Sequence, residues 1–391
     1  MHRILLTAGI VPLGIWLYLL LGHGGFWKVW QLLPAVQPRS VTDGAIAAVI
    51  PARDEAEVIG LTIRSLLDQK SVAQIHVIVV DDHSSDRTAQ AALQAALDWG
   101  HPDSLTVIAA TALPAGWTGK LWAVQQGIQE AAKLRPRFLL LTDADIRHSP
   151  ESIATLVAIA EAGKYDLVSF MVNLHCESLA ERLLIPPFVF FFFLLYPPNW
   201  IRDRKRRIAG AAGGCMLIRP QALEDAGGIA GIRKEIIDDC ALAAAVKRTG
   251  GSVWLGLTPE TRSMRHYRSF AEIERMIART AFNQLKHSAL LLFGAVFGLA
   301  LAYVLPLLLV FSGDRALAVL GAAGWLLMSL AYAPMVRFYG LRLYWSLTLP
   351  LSACFYMLAT IHSAVKFWTG RGGEWKSRVQ DTTSVVADKL D

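Results

Sequence analysis

Cysteine is scarce in this chain: four in 391 residues, at Cys176, Cys215, Cys240 and Cys354. None pairs as C-x-x-C and their spacing fits no zinc site, so neither a disulfide framework nor a structural zinc organises the fold. Reduced cysteines favour a cytoplasm-facing domain. Charge is sparse too, at 18% of residues against 54% hydrophobic. A soluble domain carries about a quarter charged residues, so much of the apolar excess belongs in lipid. No glycine-rich loop follows the first strand-like run, which excludes G-x-G-x-x-G and P-loop nucleotide sites. There is no internal repeat and no low-complexity tract. The net charge is +6. With this hydrophobicity, the basic balance points to an anionic membrane surface or a phosphorylated substrate rather than to nucleic acid.

The apolar residues fall into blocks. Residues 5–21 are followed by glycines and Trp27 with no small-x-small cleavage site, so residues 1–25 read as a retained membrane anchor. Residues 288–311 and 316–336 each have the length of a spanning helix, joined by the turn Ser312-Gly313-Asp314-Arg315. A fourth block, residues 343–365, carries Pro350 and His362 and either spans or re-enters. Residues 288–366 thus form a C-terminal membrane region, with a polar tail at 367–391. Placing Arg337 and Arg342 inside obeys the positive-inside rule. A spanning fourth block then puts Lys366, Arg371, Lys376 and Arg378 outside, against it; a re-entrant block does not.

A further apolar run, Leu183 to Tyr196, has Pro186-Pro187 near its start and Pro197-Pro198 at its end. The basic cluster Arg202, Arg204, Lys205, Arg206, Arg207 follows. Its uninterrupted core is too short to span, and residues 183–207 read as a segment lying in the membrane interface. The plainer reading is a buried helix followed by a solvated loop.

Residues 45–282 alternate strand and helix patterns. Residues 45–50, 75–80, 105–108 and 138–141 are short apolar, β-branched or leucine-rich runs. Helical spacing separates them over 59–67, 88–99 and 120–134. This alternation predicts an α/β domain with a mainly parallel sheet and helices on both faces. Ligands in such sheets bind beyond the strands' carboxyl ends, where Arg53-Asp54-Glu55, Asp81-Asp82 and Asp143-Ala144-Asp145 lie.

Each cluster admits a chemical role. Alternate residues at a strand end put Asp143 and Asp145 on one side, and two close carboxylates want a cation between them. Hard oxygen ligands suit Mg²⁺ or Mn²⁺. Asp81 and Asp82 are placed to accept hydrogen bonds from a base or ribose, while Ser85 or Asp86 caps the following helix. Lys120, after the flexible Gly116-Trp117-Thr118-Gly119, sits where a helix N-terminus attracts phosphate; otherwise it is a surface lysine. Asp238 and Asp239 either cap a helix or supply a general base. Gly213 and Gly214 permit close approach of a sugar, or mark a tight turn.

Together these residues resemble family 2 glycosyltransferases. The match is carried by Ile50-Pro51-Ala52-Arg53-Asp54-Glu55, Val79-Val80-Asp81-Asp82-His83-Ser84-Ser85-Asp86, Gly119-Lys120, Asp143-Ala144-Asp145, Gly213-Gly214 and Asp238-Asp239. The resemblance implies a GT-A fold and a nucleotide-sugar donor, a UDP-sugar foremost, held by Pro51, Ala52, Arg53, Glu55, Asp81, Asp82, Lys120 and Asp143. It implies a divalent metal at Asp143 and Asp145, and inversion with Asp239 as base beside Asp238. Acceptor-side residues would be Gly213, Gly214 and Arg279. Two departures stand out. The usual Glu-Asp base motif is Asp238-Asp239 here. The Gln-x-x-Arg-Trp of membrane members survives only as Met276-Ile277-Ala278-Arg279-Thr280, which disfavours a processive polysaccharide synthase. The layout is similar to the bacterial hopene-associated glycosyltransferases and to ceramide glucosyltransferases. That implies a lipid or isoprenoid acceptor, and a multi-pass protein of the bacterial inner membrane with its catalytic domain in the cytoplasm. A polyprenyl-phosphate glycosyltransferase using Arg202 to Arg207 is the enzymatic alternative. A non-catalytic membrane scaffold would lack a metal or base aspartate, and none is missing.

Overall fold

The computed structural model describes residues 2–38, 40–370, 374–375 and 378–379. Most of the polar tail, 380–391 included, lies outside the described residues. The chain forms two compact units. One comprises Gln31–His175 and Trp200–Arg265; the other comprises Met1–Trp30, Cys176–Asn199 and His266–Asp391.

The first unit is built on an eight-stranded sheet. Its strands are β1 (Ile46–Ala52), β2 (Ile75–Asp81), β3 (Leu105–Ala109), β4 (Phe138–Thr142), β5 (Ile146–Arg147), β6 (Leu167–Asn173), β7 (Cys215–Ile218) and β8 (Val253–Ser263), in the order β3-β2-β1-β4-β7-β6-β8-β5. β1 and β4 are buried along their whole length, as central strands covered on both faces must be. The helices Ile59–Leu67, Thr88–Asp98 and Gly119–Ala132 cross between the first four strands. A Cβ on Gly127 would lie 2.4 Å from Val49 Cγ1. The missing side chain therefore lets the helix Gly119–Ala132 close onto β1, which fixes where Lys120 emerges.

The sheet is mainly parallel but mixed, since β6 also pairs in parallel with β8. β3, β2, β1 and β4 pair in parallel, but β7 runs antiparallel to both β4 and β6, and β5 is antiparallel to β8. A parallel neighbour needs a crossover. The chain instead re-enters the sheet after β6 in the opposite direction.

The second unit is helical. Four stretches among the described residues are long and apolar enough to cross a membrane: Leu179–Arg202, Ala289–Val310, Arg315–Phe338 and Leu343–Trp368. The N-terminal helix runs His2–Leu21. Pro186 and Pro187 lie inside the helix Leu179–Leu195 instead of bounding it, while Pro197 and Pro198 follow its end. Pro187 cannot donate to the Leu183 carbonyl. Ser352 Oγ donates to that carbonyl at 2.8 Å, and Tyr356 OH donates to the Leu184 carbonyl at 2.8 Å. The Ser352 hydroxyl thus replaces a backbone bond that an apolar setting makes costly to lose, and Tyr356 adds a bond beside it. The same logic holds at Pro306, where the indole of Trp16 donates to the Ala302 carbonyl at 2.8 Å.

Candidate active site

The strand register brings the polar clusters to one edge. Ala52 pairs with Asp81, and Thr142 with Cys215. The segments after β1, β2 and β4 and the glycines before β7 therefore emerge together, at the carboxyl ends of the parallel strands.

The first two clusters are stitched to each other. Arg53 Nη1 donates to the Asp82 carbonyl at 2.8 Å and lies 3.4 Å from Asp82 Oδ2. Asp82 is buried, and its other oxygen lies 3.1 Å from His83 Nδ1. Asp54 adopts a positive φ of 51°, and its Oδ1 accepts from Ser85 N at 2.8 Å. Glu55 N donates to Thr88 Oγ1 at 2.9 Å. Asp81 Oδ1 accepts from Ser84 N, and Asp86 Oδ1 from Thr88 N, each at 3.1 Å. Of the two capping candidates, Asp86 is thus the one that meets a helix N–H. Arg53 Nε is buried with no acceptor, a strong donor left over at the strand edge.

Lys120 stands in the first turn of the helix Gly119–Ala132, whose N-cap is Thr118. Its Nζ lies 2.9 Å from Asp143 Oδ1 and 3.1 Å from Asp238 Oδ2. Burial alone would lower the ammonium's pKa. Asp143 and Asp238, with a weaker contribution from Asp239, outweigh it and hold the group firmly cationic. Lys120 is a bridge between an acid at a strand end, Asp143, and one at a helix start, Asp238, not a surface lysine.

Desolvation, then the charges of Asp143 and Glu55, push the Asp145 carboxyl up to about 6, with Arg265 opposing. Among the described residues no three His, Cys, Asp or Glu side chains are placed to hold a metal by themselves. Asp143 and Asp145 supply two oxygen donors, the number with which Mg²⁺ is held when substrate phosphates complete its shell.

Asp239 lies in the first turn of the helix Asp238–Arg248. Its Oδ2 accepts from Gly213 N at 2.8 Å and its Oδ1 from Cys240 N at 2.7 Å. Desolvation and then the charge of Asp238 push the carboxyl up to about 6, against the pull of Lys120 and the two N–H groups. A Cβ on Gly213 would stand in ordinary contact, 3.4 Å from Asp239 Oδ2 and 3.5 Å from Lys120 Nζ, so the backbone here runs beside both side chains. Pro51, Lys120, Asp143, Gly213 and Asp238 share the wall of one pocket.

Arg279 is exposed on the helix Phe270–Gln284 of the other unit. The basic run is largely committed elsewhere. Arg202 donates to the carbonyls of Gln31 and Leu255, Arg204 to that of Lys164, and Arg206 pairs with Asp203. Sequence reading passed over Arg265, which faces Asp145 only through the fold. It also passed over Thr142 and His148, whose one signal was flanking the acidic triplet.

Residues 47–227, just under half of the chain, match the family model described as Glycosyl transferase family 2. The chain carries a family 2 glycosyltransferase domain and is a glycosyltransferase. No curated protein sequence matches it. Among solved structures it is similar to a mannosyltransferase from Pyrobaculum calidifontis in complex with GDP-Man and Mn²⁺, at 18% identity, covering 90% of this chain and 99% of that one with a TM-score of 0.57. That likeness shows a shared fold. Glucosyl-3-phosphoglycerate synthase from Mycobacterium tuberculosis, solved with Mn²⁺, UDP-Glc and phosphoglyceric acid, is 16% identical over 62% of this chain and 79% of that one, with a TM-score of 0.40.

Proposed function

We propose that the chain transfers a sugar, with inversion, from a nucleotide-sugar donor to a lipid or isoprenoid acceptor at a membrane. The observation that carries this is Asp239. It is a carboxylate held by two backbone N–H groups, pushed up to about 6, and linked through the Asp238–Lys120 pair to Asp143. A base needs a pKa near working pH and a fixed orientation, and Asp239 has both. Its ionised oxygen takes the proton of the acceptor hydroxyl as the hydroxyl oxygen bonds to the anomeric carbon and the bond from that carbon to the nucleoside diphosphate breaks.

Lys120 serves the other half of the reaction. Its cationic Nζ at a helix N-terminus is suited to the donor's diphosphate. Arg53 Nε, with no protein acceptor, offers a further donor. Asp143 and Asp145 would hold Mg²⁺ or Mn²⁺. When bound, such a cation neutralises charge on the departing diphosphate. Pro51, Ala52, Glu55, Asp81 and Asp82 shape the nucleoside side. Gly213 and Gly214 belong to the acceptor side.

The mannosyltransferase of similar fold was solved with GDP-Man and Mn²⁺, and the resemblance favours UDP-sugars, so both donor classes belong in any trial. The four long apolar helices support residence in the bacterial inner membrane, with the sheet unit cytoplasmic and the acceptor drawn from the bilayer. Hopanoids are among the acceptors the layout brings to mind. The engaged side chains of Arg202, Arg204 and Arg206 weigh against a lipid-phosphate clamp there.

The test is to incubate detergent-purified protein with a radiolabelled donor, Mn²⁺ and a bacterial total lipid extract, then to isolate the labelled lipid. A glycolipid of inverted anomeric configuration is expected. Label that stays entirely in water-soluble sugar, with every donor, contradicts the lipid acceptor. A retained configuration contradicts the base.

A further inference from the structure

A line of hydrogen bonds leads from a buried histidine to the amide that holds Asp239. His148 is 3% exposed, and burial pushes its imidazole down to about 3, so it is neutral. Its Nε2 lies 3.0 Å from Thr142 Oγ1. Thr142, the last residue of β4, donates its hydroxyl proton to the Gly214 carbonyl at 2.7 Å. A hydroxyl has one proton, so the proton in the His148–Thr142 bond belongs to Nε2. That leaves Nδ1 as an acceptor, and Ser152 Oγ lies 3.4 Å from it. Each group along the line has its partner.

The line ends at the glycines. Thr142 fixes the Gly214 carbonyl, and Ser169 Oγ accepts from Ala212 N at 2.9 Å on the other side. Gly213 lies between these two anchors, and its N–H donates to Asp239 Oδ2 at 2.8 Å. Glycines hold a backbone loosely, so a Gly213-Gly214 pair needs such anchors if its amide is to stay on one oxygen.

We infer that His148 and Thr142 are positioning residues for the transfer: through Gly214 they keep the Gly213 N–H on Asp239, and so keep the carboxylate aimed. This rests on the reading of Asp239 as base. Neither side chain is placed to touch the reacting atoms in this role. Thr142 acts through Gly214, and His148 by orienting the Thr142 hydroxyl.

The test compares Thr142→Val, Thr142→Ser, His148→Leu and His148→Gln with the parent, as full-length protein in detergent. Two readouts are taken: deuterium uptake of the peptide covering 211–215, and release of nucleoside diphosphate from UDP-glucose and GDP-mannose with Mn²⁺ and bacterial lipid. Thr142→Val removes the hydroxyl at nearly constant volume. It is expected to speed exchange at Gly213 severalfold and to cut kcat at least about tenfold, with donor KM within about twofold. Thr142→Ser restores both, and His148→Gln, which keeps a donor, does better than His148→Leu. Parent-like uptake and kcat in Thr142→Val overturn the inference, as do losses that Thr142→Ser does not rescue. If His148→Leu fails to fold, the Thr142 pair decides alone. Asp239→Asn runs in parallel. Full turnover in Asp239→Asn overturns the base reading, and this inference with it. An inactive Asp239→Asn beside an unaffected Thr142→Val overturns this inference alone.

Discussion

Asp239 Oδ2 accepts the backbone N–H of Gly213 at 2.8 Å. With the bond from Cys240 Sγ to the Ala211 carbonyl, it joins the helix Asp238–Arg248 to the glycine turn before β7. Asp238 is taken up by Lys120 at 3.1 Å. Asp239 is bound only by amides, which orient it without supplying a countercharge.

Asp239→Asn removes the base and keeps the shape. Turnover is expected to fall by about 10²–10⁴-fold, the usual worth of general-base assistance. Donor KM should change little. Steady-state kinetics and calorimetric donor binding check both. Asp238→Asn, which leaves the base but loosens Lys120, should be the milder change.

The pH profile follows from the same carboxyl. The acceptor is activated by ionised Asp239, and that form gains population as pH rises through about 6. Transfer should therefore climb by about tenfold per unit below pH 6 and level off above it. Replacing Lys120 by Gln removes a positive charge that favours the ionised form. The acidic limb should then move to higher pH. A limb that stays put in Lys120→Gln contradicts the electrostatic link between them.

Metal binding should also weaken in acid. Asp145 is pushed up to about 6, so protons compete with a cation for it below that value. Titration calorimetry with Mn²⁺ and UDP should show affinity falling as pH drops from 7 to 5. Asp145→Asn should lose most of the affinity at pH 7, and removal of metal by EDTA should reproduce the loss of transfer.

Two glycine substitutions separate stability from function. Gly127→Ala drives a methyl to 2.4 Å from Val49 Cγ1, and overpacking of this kind costs about 1–3 kcal/mol. Its thermal midpoint should drop. Gly213→Ala places its methyl in ordinary contact with Asp239 and Lys120. It should fold, yet lose turnover because the methyl stands beside the base.

The parallel half of the sheet was legible because its strands are apolar runs that stop at charge: β2 at Asp81-Asp82, β4 at Asp143. That pattern also exposed Asp143 and Asp145, while Lys120 showed as the start of a helix after a glycine loop and Asp239 through the family resemblance. The antiparallel half was not legible. β7 has four residues and β5 two, too few for a period to show. Pro186 and Pro187 misled as breaks, because the Ser352 hydroxyl that meets the carbonyl left open by Pro187 lies 169 positions away in the chain. The line from His148 through Thr142 to Gly214 is tertiary in the same sense: its residues are unremarkable until the fold brings them together.

The most direct measurement is nucleoside diphosphate release from a panel of UDP- and GDP-sugars by the detergent-purified chain. Each donor is run with Mn²⁺, with Mg²⁺ and with EDTA, beside Asp145→Asn and Asp239→Asn. One donor should be turned over with metal, faster when bacterial lipid is added, and not by either variant. Turnover that persists in EDTA and in both variants would contradict the roles assigned to Asp145 and Asp239. No turnover of any donor, with no nucleotide bound by calorimetry, would contradict donor use by this site altogether.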